Sequence, residues 1–519
     1  MRGNRPRMKR LPALLLLLSA LRVDAQSTRP APRTVNPDSV AHWVRLVESA
    51  PDSMRYHKAY LRAIGWESAL FWQAERYKSR FDSTEAAIRT QYEAWSRRFP
   101  NSATVAHAIG MAYYECESPK ATIHLKRTVE LDPRNAEAYL QLAIDAERWG
   151  NRSDAKEYMR LASVADTLNP AYSFYYAMYF DEEDMNVFQT LIYRLAERFP
   201  AHERGAQGLY WLGYNIRDNA GKVRVWEDLR KRYDPQTFSW SAGGMSLLYQ
   251  AYLEADRYAD AAALAKAMSV KPGWDDRIDL ARRLSEADRL LRAGNHAEAY
   301  QAIAGIKKTR NTEAVAKVPI LEARLADLSG RTDSAYAKLL RLQAKAPTDE
   351  LQTALAGYAA RLGKTASQVD TELKAIRATT TKPAFPFDLQ TYARGTKGRL
   401  ADYRGKAVLL TFWFPGCGPC RAEFPHFENV VRKFRKSDLA YVGINVLPLQ
   451  DDYVLPFMKG TGYSFIPLRA TNDWAQEKYG VRGQPTNFLI DKEGNIVFAN
   501  FRTTADNERT LELMIRSLL

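Results

Sequence analysis

Between about residues 39 and 376 the chain is broken at a regular interval, and that rhythm limits its fold more than any other feature. Prolines at 100, 133, 170, 200, 235 and 272 are spaced by 33, 37, 30, 35 and 37 residues, and glycines at 294, 330 and 363 continue the series at 36 and 33. Between the breaks, apolar residues fall at three- and four-residue spacing in stretches rich in Ala, Leu, Tyr, Arg and Glu, the pattern of amphipathic helices. A lone helical pair cannot cover its own apolar face, so units of this length must stack on their neighbours. The expectation for residues 39–376 is therefore an all-α helical-repeat solenoid.

The clearest unit has Tyr139, Leu142, Ala143 and Ala146, a turn at Gly150-Asn151, then Ala155, Met159 and Ala162. Small residues at 143 and 155 let two helices approach, while Tyr139, Leu142 and Met159 fill the space between them. For that copy the sequence resembles the tetratricopeptide repeat, residue type by residue type. Elsewhere only fragments match, such as Leu212-Gly213 and Ala299 with Ile303, and the plainer alternative is an irregular all-α array. The resemblance implies a protein partner on the repeats. Nine of the eleven tryptophans precede residue 300, as core or as part of a concave binding face.

The first 25 residues look like a targeting segment. Arg2, Arg5, Arg7, Lys9 and Arg10 precede the apolar run Leu11 to Leu21, and Val23-Asp24-Ala25 offers a small-residue cleavage site. This reads as a secretory signal peptide, with an uncleaved anchor as the other reading, and it points to the periplasm or cell envelope. Residues 26–38, with three prolines among Ser and Thr, read as a flexible leader. The formal charge of +15 falls to +10 without residues 1–25, and the excess is dispersed among acidic side chains. Dispersed basic charge is a solvated surface more often than a nucleic-acid footprint, so no nucleic-acid partner is expected.

Residues 377–386, Arg-Ala-Thr-Thr-Thr-Lys-Pro-Ala-Phe-Pro, end the helical rhythm and read as a linker. From 387 to 519 the periodicity changes. Apolar strands are expected at Ala407–Trp413, Leu439–Val446, Phe465–Leu468, Asn487–Asp491 and Asn495–Asn500. Helices are expected over 418–436, near 451–459, at Trp474–Tyr479 and from about 505. Strands alternating with helices and closing on a hairpin make a small α/β domain.

Two of the three cysteines stand in that domain as Cys417-Gly418-Pro419-Cys420, just after the apolar strand. A Cys-x-x-Cys serves either dithiol chemistry or half a zinc site. Zinc needs about four ligands, and the nearest others are Cys116, far upstream, and one histidine, His426, so redox chemistry is favoured and no metal is expected. Cys116, within Tyr113-Tyr114-Glu115-Cys116, reads as a buried inert thiol, with a regulatory role toward Cys417 as the alternative. No Ser-His-Asp set, Walker loop or Rossmann glycine pattern supports hydrolase or nucleotide chemistry.

The matching residues run through the whole domain: Phe385-x-Phe387, Leu400-x-Asp402-x-x-Gly405-Lys406, Phe412-Trp413, the run from Cys417 to Pro425, Val481-Arg482-Gly483-Gln484-Pro485-Thr486 and Phe488-Leu489-Ile490-Asp491. Together they resemble the thioredoxin-like fold in its exported TlpA/ResA branch. A first cysteine at a helix start gains thiolate stability from free amides and the helix dipole. Cys417 is thus the expected nucleophile and Cys420 the resolving thiol, together forming the redox-active disulfide.

The resemblance implies a cis proline at Pro485, facing the cysteines. Gly483, Gln484 and Thr486 then flank a substrate strand, and Trp413 serves as a nearby aromatic contact. It implies Glu423 as the acid that takes the proton from Cys420, since the strand position where thioredoxin carries an acid is Thr411 here. Gly416 stands where thioredoxin has tryptophan, which should open the site. The Gly-Pro pair between the cysteines favours a reductant, and no cofactor is implied. The expected enzyme is a thiol-disulfide oxidoreductase with disulfide-containing client proteins, served by a membrane electron donor, with haem-protein or general thiol maturation as candidate roles. The rival is an interaction scaffold whose redox domain is a sensor or an oxidase.

Overall fold

The computed structural model describes residues 35–66, 74–181, 183–306, 317–393 and 395–519. The expected signal segment and most of the leader lie outside the described residues. Among the described residues no helix is long and apolar enough to cross a membrane.

From Pro37 to Ala378 the described chain is helix after helix, and within each unit most successive helices pack on one another. The hairpin Ala136–Arg148 with Arg152–Ala165 shows how the sequence builds one repeat. Asn135 accepts from the Ala138 amide at 2.9 Å and Asn151 from the Asp154 amide at 3.1 Å, so each helix starts on a side-chain cap. Gly150 takes φ +73° at the turn, where the Asn151 amide closes on the Ala146 carbonyl at 2.8 Å. Ala143 and Ala155 are fully buried, and Leu142 and Met159 nearly so, as their spacing predicts. Pro170 opens a helix at its first position, and the other five prolines of the series fall in turns, because proline cannot donate within a helix.

The chain divides into two compact units that do not follow its composition. One joins the described chain through Tyr179 to Pro383–Glu508 and the last two residues; the other comprises Phe180–Lys382 with Arg509–Ser517. The stretch 377–386 is shorter as a linker than expected. The helix Ala366–Ala378 enters it, and the buried Arg377 donates to the Ala344 carbonyl at 3.2 Å.

In the first unit, the α/β chain forms a mixed sheet of β1 (Lys382–Pro383), β4 (Ala407–Trp413), β5 (Leu439–Asn445), β6 (Ile466–Arg469), β7 (Thr486–Ile490) and β8 (Asn495–Ala499), in the order β1-β8-β7-β4-β5-β6. β4 lies parallel to β5 and antiparallel to β7, and β5 is parallel to β6. A two-stranded ribbon, β2 (Asp388–Gln390) with β3 (Lys397–Arg399), was not expected, since three partly polar residues give no alternation to read. Every residue of β4 is buried, so both faces of the sheet are covered. Val408, Leu410, Phe412, Ile444 and Phe488 form one core layer. On the other face Trp413 meets Phe424, Phe457 and Phe465.

Candidate active site

β4 delivers the chain into the turn Phe414-Pro415-Gly416, and Cys417 then caps the helix Gly418–Val431. Its amide donates to the Phe414 carbonyl at 2.9 Å, and its sulfur accepts from the Cys420 amide at 3.2 Å. Cys417 and Cys420 are joined in a disulfide with their Cα atoms 5.3 Å apart. Cys417 keeps 4% of its surface exposed and Cys420 none. The outer sulfur sits at the positive end of a helix, where a negative charge is stabilised, and the inner one is sealed behind it. The Arg421 guanidinium donates to the Pro415 carbonyl at 2.6 Å and braces the turn from inside.

Glu423, one helical turn beyond Cys420, is 4% exposed. The Thr503 amide donates to its Oε1 at 2.6 Å, the Asn487 amide group donates to its Oε2 at 2.8 Å, and the Arg502 guanidinium stands 3.6 Å away. Burial pushes its carboxyl up to about 7, with the Arg502 charge and these hydrogen bonds holding it back from rising further. A group balanced near neutrality can both take and give a proton. Asn487 pairs in register with Thr411 across β7 and β4, so the donor that holds Glu423 stands on the strand beside the position where thioredoxin keeps its acid. Asn487, Arg502 and Thr503 were missed from sequence. A lone asparagine entering the apolar run Phe488-Leu489-Ile490 was the available sign.

The Gln484–Pro485 peptide is cis, and Pro485 is buried. Gln484 donates through its amide to Asn472 Oδ1 at 2.9 Å, and the Thr486 hydroxyl donates to the Gly483 carbonyl at 2.6 Å. Gly483 is exposed, with open space where a Cβ would stand. Thr486 pairs with Phe412, which brings this segment beside the end of β4 from which the cysteine turn springs.

Two expectations need correction. Trp413 has no exposed surface and packs within the Phe424, Phe457 and Phe465 rings, so it is a core residue and not a substrate contact. Gly416 does not open the site. A Cβ there would run into the Glu117 carboxylate and stand 2.7 Å from Gln450 Nε2, because the helical region fills the space that a side chain at 416 would need. Cys116 is buried, its thiol pushed up to about 12 chiefly by desolvation, which makes it unreactive at neutral pH.

The AhpC/TSA family model matches residues 380–499. The thiol-disulfide oxidoreductase ResA of Geobacillus kaustophilus is 33% identical over 144 residues, which cover 27% of this chain and 80% of the relative. The chain belongs to the ResA family of thiol-disulfide oxidoreductases. The ResA of Geobacillus thermodenitrificans is 33% identical over 145 residues, again 80% of its length. Among solved structures, a thiol:disulfide interchange protein of the thioredoxin family from Chlorobium tepidum is 27% identical, covers 26% of this chain and 95% of its own, and gives a TM-score of 0.24. Within the ResA family the present chain is an enzyme of disulfide exchange, its substrates are disulfide-containing, and its thioredoxin-like domain follows a long helical region.

Proposed function

We propose that the chain is an exported dithiol reductant of the cell envelope, with Cys417 as attacking and Cys420 as resolving thiol. The observation that carries this reading is the position of Cys417, a residue 4% exposed that caps a helix and is bonded to a fully buried partner one turn on. In the reduced protein, the Cys417 thiolate attacks one sulfur of a client disulfide, forming a mixed disulfide and expelling the client's other sulfur, which takes a proton from solvent. Cys420 then gives its proton to Glu423 and attacks the Cys417 sulfur. The second client thiol is released, and two electrons have passed from the Cys417–Cys420 dithiol to the client. A dithiol donor at the membrane reverses the change.

Pro485 and the backbone of Gln484 line the client strand, with Gly483 and Thr486 at its edges; the open space at Gly483 supports that reading. Export is supported by the basic and apolar opening of the chain. The helical repeats, tetratricopeptide-like in the copy around Gly150, supply a protein-binding surface.

The test is insulin reduction by the full chain: Cys417→Ser abolishes it, and Cys420→Ser accumulates mixed disulfides with clients. Undiminished reduction by Cys417→Ser would refute the assignment.

A further inference from the structure

The turn before Cys417 is held by the helical region. The Gly416 amide donates to Gln450 Oε1 at 2.6 Å, and Gln450 Nε2 donates to Glu117 Oε2 at 2.6 Å, a link between residues 333 apart in sequence. Gln450 is fully buried. Glu117 follows the helix Ala103–Glu115 with φ +55°, and its other carboxylate oxygen pairs with Arg148 Nη2 at 3.3 Å. Arg148 lies buried over the Tyr114 ring, 5.0 Å from its centre, and 3.8 Å from Asp145. From the α/β domain, Tyr453 donates its hydroxyl to Asp145, and Arg421 faces Glu117, Glu147 and Arg148.

We infer that Glu117 is a positioning residue of the redox site: tethered through Gln450 to the amide preceding Cys417, it fixes the Gly416 turn and keeps the Cys417 thiol less acidic than its helix terminus alone would. The inference rests on reading Cys417 as the attacking thiol. Three observations converge on it. A side chain at 416 would displace the Glu117 carboxylate, which occupies its space. The Gly416 amide is taken up by Gln450. A carboxylate held against the residue before a thiol opposes that thiol's ionisation, and the two cations facing Glu117 are engaged elsewhere as well, Arg148 with Asp145 and Arg421 with the Pro415 carbonyl. The redox domain therefore works with a residue supplied by the repeats, and the acidity of its nucleophile is set partly from outside the thioredoxin-like fold.

The experiment alkylates the reduced full chain with iodoacetamide across pH and follows the Cys417 peptide by mass spectrometry. Glu117→Gln keeps the size and a hydrogen-bonding oxygen but removes the charge. The Cys417 midpoint should fall by about one pH unit, about tenfold more thiolate on the acidic side, and the reduction potential should rise by about 30 mV for that tenfold change. Glu117→Asp, which keeps the charge but shortens the reach to Gln450, should shift the midpoint less than Glu117→Gln. An unmoved midpoint in Glu117→Gln, or equal shifts in both variants, overturns the inference.

If Glu117→Gln loosens the hairpin, seen as alkylation of the otherwise buried Cys116, Gln450→Met is the deciding variant. With the tether cut, the Glu117 carboxylate is no longer held against the turn, so the Cys417 midpoint should also fall, and an unchanged one is refuting. Because the titration needs no client, its failure is separate from that of the redox reading, which would show as absent insulin reduction by the wild-type chain.

Discussion

Replacing Glu423 by glutamine should slow the resolving step and stabilise the fold, both with a defined pH dependence. The carboxyl is pushed up to about 7 by burial, so about half the molecules hold a ready proton acceptor at pH 7 and about one in a hundred at pH 5. The lifetime of a Cys417 mixed disulfide in the wild type should therefore lengthen about fifty-fold between those two pH values, and in Glu423→Gln it should lose that dependence while becoming longer at neutral pH.

For stability the sign is opposite. The folded carboxyl binds its proton more tightly than the unfolded one, whose reference value is 4.5, so its cost is absent below that value, grows as pH rises toward about 7 and is constant above it. That rise of about 2.5 units corresponds to about 3 kcal/mol. Glutamine still accepts from the Thr503 amide but no longer from Asn487, which returns about 1–2 kcal/mol. The expected gain is about 1–2 kcal/mol above neutrality. Acid-quenched mass spectrometry of the mixed disulfide and urea unfolding at several pH values measure the two effects. A stability difference that does not change with pH, together with an unaltered mixed-disulfide lifetime, would refute the reasoning.

Two further outcomes concern the framework. Gly150→Ala meets a positive φ and would bring its Cβ to 2.8 Å from the Phe457 carbonyl oxygen, so urea unfolding should show a loss of at least about 1–3 kcal/mol. Leu142→Ala empties a position that is almost fully buried between the paired helices; the same measurement should show about 2–5 kcal/mol lost, and a loss under about 0.5 kcal/mol would mean the hairpin interior is misassigned.

Much of this architecture was legible in the sequence because local signals agree. Helix breaks at a near-constant interval, the turn at Gly150-Asn151, and the apolar run Ala407–Trp413 before Cys417 each announce their element within a few residues. The helix after Cys417 ends at Val431, short of the expected 436, because charged residues continue a helical composition into the turns beyond it.

What sequence could not supply was contact between distant segments. Glu117 gives no local hint that it reaches Gln450, and Gly416 looked like an open position only because its occupant is remote in sequence. Trp413 was ambiguous for a related reason: an aromatic at a strand end can face either the site or the core, and only the packing of Phe424, Phe457 and Phe465 decides. Glu423 was legible as a candidate, but its burial depends on Asn487 and Thr503, which only the fold brings to it.

The close approach of Gly150 to Gly460 limits how freely this protein's parts can be exchanged. A Cβ on Gly460 would stand 2.5 Å from the Gly150 carbonyl oxygen, so the two backbones touch with no side chain between them. A redox domain transplanted from a free-standing cousin would have to bring its own glycine to that spot, and in this chain the two halves of the joint can drift in sequence only as a matched pair.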